Sequence, residues 1–112
     1  MNKYRDKSDF EINKAAAVAS GYKVMLCEES VMAYIDSGYK PFDPCNNPAD
    51  AMPIIIENKI CMAYDVFAEE RDGGNWVAQP AYGFSNERVR SNNYYRAAME
   101  VFLMMKDAEN ES

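Results

Sequence analysis

Apolar side chains fall in two rhythms along the chain, one helical and one of short β-rich runs. Ile12, Ala15, Ala16 and Ala19 recur at helical spacing. Ser8 stands three residues before Glu11, the spacing at which a hydroxyl and a carboxylate can each satisfy the other's open backbone donor, and Gly21 suits a left-handed C-terminal cap. The pattern predicts a helix over residues 9–20. Two runs rich in valine, tyrosine and isoleucine, residues 22–27 and 31–39, flank Glu28, Glu29 and Ser30 and predict a hairpin whose turn lacks an Asn-Gly or Asp-Gly signal.

The middle of the chain is punctuated by proline. Pro41 and Pro44 push Lys40 and Asp43 toward extended backbone, so residues 40–45 are expected to cross the surface rather than enter a sheet interior. Asn47 before Pro48 marks a helix start, because the amide oxygen can accept an open N–H and a proline there loses nothing by lacking one. Asp50 suits the positive end of that helix. Pro53, whose ring would collide with the carbonyl of Ala49, predicts a break or kink, after which Ile54, Ile55 and Ile56 form a buried turn.

In the second half, residues 60–67 and 76–81 turn around Asp72, Gly73 and Gly74 and give the clearest hairpin of the chain. The stretch PAYGFSNERVRSNN, residues 80–93, shows no periodicity and is expected to be a long loop. From Tyr94, apolar residues at Ala97, Ala98, Val101, Phe102, Met105 and Ala108 trace the stripe of an amphipathic helix capped by Asn92 or Asn93, with an acidic tail that the helix dipole disfavours. The expected fold is α+β: a small antiparallel sheet of two hairpins packed on one face against an N-terminal and a long C-terminal helix, with a short proline-broken middle helix. One domain should fill residues 1–112, with frayed or disordered ends at about 1–7 and 108–112.

Composition narrows the chemistry. The chain has no histidine, which removes the usual general base and zinc ligand, and its three cysteines, Cys27, Cys45 and Cys61, are widely spaced. They read as unpaired thiols. Eighteen acids against 12 bases, a net charge of −6, argue against nucleic acid as the main partner. No apolar run is long enough to span a membrane, and no apolar segment follows the charged N-terminus as a secretory signal would require, so a cytoplasmic location is expected.

No catalytic residue, metal ligand or cofactor follows from the motifs: Gly73 and Gly74 fit a turn rather than a phosphate loop. Asp43 and Asp50 could face each other as paired carboxylates or serve as turn formers and caps, and Asp43, Asn46, Asn47 and Asp50 match no known cation-loop spacing. In the long loop, Tyr82 and Phe84 could stack on a planar ligand while Arg88 and Arg90 grip phosphate or carboxylate; alternatively the aromatic rings anchor the loop and the arginines are solvated. The candidate binding residues are therefore Asp43, Asn46, Asn47, Tyr82, Phe84, Arg88 and Arg90, with a pocket expected where the 42–50 bend meets the 82–90 loop. Trp76 is expected in the core, and Met99, Met104 and Met105 in packing or at a homodimer face on the C-terminal helix.

The segments SDFEINKAAAVASGY, FDPCNNPADAMPIIIENKI, WVA and NNYYRAAMEVFLMMKDA together resemble NinX-like proteins of tailed bacteriophages and prophages. The chain departs from the usual pattern at Met52, where an aromatic is common, and at Tyr94 and Tyr95, where a proline-leucine pair is common. The resemblance implies phage or prophage origin, cytoplasmic expression in a bacterial host and an accessory role, and it implies no reaction. Two function classes follow: a non-enzymatic protein that binds a host or phage macromolecule, for instance against a host defence, or a protein that binds or sequesters a small molecule or nucleotide.

Overall fold

In the computed structural model, which describes residues 2–81 and 88–110, helices begin where the sequence places their caps. Ser8 Oγ accepts from Glu11 N at 3.2 Å and opens α1 (Asp9–Ala19); at its other end Tyr22 N–H reaches the Ala17 carbonyl and Gly21 N–H that of Val18 around a φ of 87° at Gly21. Asn47 Oδ1 accepts from Ala49 N at 3.0 Å and opens α2 (Pro48–Glu57). Asn93 Oδ1 accepts from Tyr95 N at 3.0 Å and Arg96 N at 3.2 Å and opens α3 (Tyr94–Asn110).

Pro53 does not end α2, which continues to Glu57. A proline inside a helix costs about 3 kcal/mol. Here its ring is on the exposed side, while Ala51, Ile54 and Ile55 are buried; two buried isoleucines contribute about 1.5–3 kcal/mol each, enough to outweigh that cost. Ile56 is the exception in the expected trio, pointing to solvent, because consecutive helical residues cannot all face one side.

The strands form two three-stranded antiparallel sheets where one sheet of two hairpins was expected. The first holds β1 (Val24–Cys27), β2 (Ser30–Ile35) and β3 (Gly38–Pro41). The expected run 31–39 is itself split by a two-residue turn, in which Asp36 and Ser37 both take positive φ, 52° and 76°, as a twisted hairpin turn demands. Pro41 ends β3 on the sheet's edge, where its missing N–H costs no interior ladder bond.

The second sheet holds β4 (Ile60–Tyr64), β5 (Trp76–Pro80) and β6 (Val89–Ser91), the last drawn from the stretch expected to be all loop. A short 3-10 turn, Glu70–Asp72, lies between β4 and β5. The long helices divide the work: α1 packs on β1 and β2, α3 packs on all three strands of the second sheet, and α1 and α2 both pack on α3. Trp76 is half-buried in a chain of edge-to-face rings, Tyr64–Trp76–Tyr94–Tyr95, with centroids 5.0, 4.9 and 5.0 Å apart, that fastens the second sheet to α3. Among the described residues no helix is long and apolar enough to cross a membrane.

Candidate functional site

Around the 42–50 bend the polar side chains mostly hold one another. Asn13, buried in α1, donates from Nδ2 to Asp43 Oδ1 at 2.7 Å and accepts from Cys45 N at 3.0 Å. Asp50 Oδ2 accepts from Asp43 N at 2.9 Å, and Asn46 Nδ2 donates to Asp43 Oδ1 at 3.1 Å and to Asp9 Oδ2 at 3.2 Å. Asn93 Nδ2 reaches the Cys45 carbonyl at 2.9 Å, tying the bend to α3. Asp43 and Asn46 thus knit α1 to the bend and Asn47 caps α2, and among the described residues no group of three or more acidic or cysteine side chains is arranged to hold a metal ion.

Arg96 is the centre that sequence reading missed. Its Nε donates to Glu100 Oε2 and one terminal nitrogen to Asp9 Oδ1, both at 2.7 Å; the other reaches the carbonyls of Tyr4 at 2.8 Å and Lys7 at 2.6 Å. Burial would lower the guanidinium's pKa, yet the bonds to Asp9 and Glu100 outweigh it and raise the pKa above the ordinary value. Asn2 Nδ2 donates to Glu100 Oε1 at 2.6 Å, and the Tyr4 hydroxyl donates to Asp107, so residues 2–7 are fastened along α3. The helical pattern could have flagged Glu100, a charged residue flanked on the stripe by Ala97 and Val101, and its i,i+4 spacing from Arg96 was the one local pointer to that arginine.

Arg90 performs a second clamp. It donates to Asp65 Oδ2 at 2.9 Å and to the Gly74 carbonyl at 3.2 Å. That bond and the Phe67 N–H, 3.0 Å from Oδ1, hold the Asp65 carboxyl below its ordinary range. The Asp65 backbone is held too, its N–H donating to the Asn75 carbonyl at 2.7 Å and its carbonyl accepting from Asn75 Nδ2 at 3.0 Å. The turn beyond it carries Val66 and Phe67, 69 % and 88 % exposed.

Among the described residues, the bend and the arginines line different cavities. Phe42 and Asp50 line one of about 420 Å³ with Ser20, Tyr22, Ile54 and Phe102, whereas Arg88 and Arg90 line a separate cleft of about 290 Å³. Tyr82 and Phe84 lie outside the described residues. Of the methionines expected in packing or at a homodimer face, Met99 is buried in the core and Met104 and Met105, partly buried, pack against it.

The three thiols differ sharply. Burial, then the nearby carboxylate of Asp9, pushes the Cys45 thiol well above its ordinary range, while Cys27 and Cys61 are exposed. Titration of the native protein with a thiol-specific chromogenic disulfide should therefore release two equivalents rapidly and the third only on unfolding in denaturant; rapid release of all three would show that Cys45 is accessible.

The profile of a protein family described as Bacteriophage P22, NinX, matches residues 3–106 of the chain. No curated protein and no solved structure matches it.

Proposed function

The chain belongs to the bacteriophage P22 NinX family, and from that premise we propose that this phage accessory protein acts without catalysis, by docking on a host or phage protein through the Val66–Phe67 turn. One observation carries the reading: an 88 % exposed phenylalanine stands on a turn whose base, Asp65, has its backbone and both carboxylate oxygens engaged. A large exposed ring ordinarily gains by turning toward its own core; one presented on a clamped turn is already arranged for a partner, and less freedom is lost on binding. Glu69, Glu70 and Asp72 follow within five residues, with Arg71 among them paired to Glu69 at 3.3 Å and Asp72 Oδ2 accepting from Glu69 N at 2.8 Å in the 3-10 turn's cap, which leaves the segment net acidic. The fitting partner is a protein with an apolar pocket rimmed by lysine or arginine, such as a component of host defence or of host machinery that the phage redirects.

The test is a comparison of baits in infected bacterial cells. Wild-type protein and Val18→Ser, altered at an exposed valine on α1, should recover the same protein at near-stoichiometric level, in amounts that fall with added salt. Phe67→Ser should lose it at least about tenfold, since an anchoring aromatic contributes about 2 kcal/mol or more, while its thermal unfolding stays unchanged. Equal recovery by Phe67→Ser, or no stoichiometric partner for the wild type, would refute the docking role.

A further inference from the structure

The chain is acidic, yet four of its five arginines, Arg5, Arg88, Arg90 and Arg96, line the single cleft of about 290 Å³ between the N-terminal segment, β6 and α3. We infer that this cleft is a binding site for a phosphomonoester group carried by a small molecule, held between Arg5 and Arg88. The four guanidiniums have different roles. Arg96 spends its donors on Glu100, Asp9 and the carbonyls of Tyr4 and Lys7, and Arg90 is paired with Asp65. Glu100, the one acid in the lining, has both oxygens occupied, by Asn2 and Arg96. Arg5 and Arg88 are exposed and form no ion pair among the described residues. Arg5 lies against the turn between β4 and β5, one terminal nitrogen 3.2 Å from where a Cβ on Gly73 would stand.

Two guanidinium forks with no ion pair among the described residues suit an acceptor with more than two terminal oxygens. A carboxylate or a phosphodiester offers two and is satisfied by one fork, whereas a phosphomonoester offers three and close to two negative charges near neutral pH, enough to engage both. The cleft volume points the same way: about 290 Å³ is at the lower edge for an organic ligand, so it would take the phosphoryl headgroup and leave the rest of the molecule at the rim. The fifth arginine, Arg71, is exposed, pairs with Glu69 at 3.3 Å and does not line the cleft, which makes it the natural control.

Isothermal titration of the full chain with inorganic phosphate, with adenosine monophosphate and with a dinucleoside monophosphate, which carries only a diester, distinguishes the sources of the anion. Phosphate and the monoester should bind saturably at low salt and the diester at least about tenfold more weakly. Arg5→Gln and Arg88→Gln should each weaken the monoester about tenfold or more, the scale of one lost charge-assisted hydrogen bond, with unfolding temperature unchanged. Arg71→Gln should bind as the wild type does. The assignment fails if phosphate and monoester show no saturable binding in the millimolar range, if the diester binds as tightly as the monoester, or if Arg71→Gln weakens binding as much as Arg88→Gln.

Discussion

Arg96→Ala should be among the most destabilising single substitutions in this protein, lowering unfolding free energy by about 3–5 kcal/mol. The Arg96 side chain is 12 % exposed and that of Glu100 6 % exposed, so water, reaching the pair only from the cleft, replaces a lost partner poorly. Removing the guanidinium leaves Glu100 charged and buried with only the Asn2 amide, and it strips the carbonyls of Tyr4 and Lys7 of their donor. A domain of this size has about 5–15 kcal/mol in total, so the variant should melt on the order of 15 °C lower or be partly unfolded at room temperature. Urea unfolding followed by circular dichroism measures it. Adding Glu100→Gln to Arg96→Ala should recover part of the loss, because much of the penalty is the unpaired charge rather than the missing bond. Arg71→Ala, at an exposed pair, should change stability by less than about 1 kcal/mol. A loss below about 1 kcal/mol for Arg96→Ala, or no recovery in the double variant, would contradict this account.

What could be read from the sequence is what neighbours along the chain decide. Ser8, Asn47 and Asn93 cap helices because each side chain reaches a donor two or three residues ahead, and the stripe of α3 is set by one helix's own period. The Asp36–Ser37 turn escaped because left-handed hairpin turns are recognised by glycine or asparagine, and neither stands at its centre. β6 escaped because three residues are too short for a period, and only their pairing with β5 makes them a strand. The polar centre is the least local feature of all: Arg96 meets Asp9 across 87 residues, and Asn93 meets the Cys45 carbonyl across 48. Of the candidate residues, Asp43, Asn46 and Asn47 were singled out because polar side chains beside prolines suit turns and caps as well as ligands; in the folded chain they hold the bend and cap α2. Arg88 alone among the described candidates is an exposed charged side chain with no ion pair to another described residue, a distinction that depends on what the rest of the fold brings beside it.

Gly73 and Gly74 look interchangeable in the sequence, and their alanine variants should differ by about 1–2 kcal/mol or more. At Gly74, φ is 139°, and a Cβ would lie 2.2 Å from the Ser91 carbonyl carbon, 2.5 Å from Asn92 N and 2.6 Å from the Ser91 oxygen. All three are backbone atoms at the joint between β6 and α3. They cannot rotate away as a side chain would, so relief requires moving Ser91 and Asn92 and with them Asn93, which caps α3 and holds the Cys45 carbonyl. The Gly74 carbonyl would shift as well, loosening the Arg90 clamp beneath the Val66–Phe67 turn. Overpacking and a disallowed backbone angle together should cost Gly74→Ala about 3 kcal/mol or more. Gly73 also has positive φ, 95°, but its added carbon would meet only the terminal nitrogen of the flexible Arg5 at 3.2 Å, so Gly73→Ala should cost about 1–2 kcal/mol, the ordinary penalty for a left-handed alanine. Paired urea denaturation of the two variants separates them, and equal losses would mean that the joint between β6 and α3 yields far more easily than close backbone packing allows.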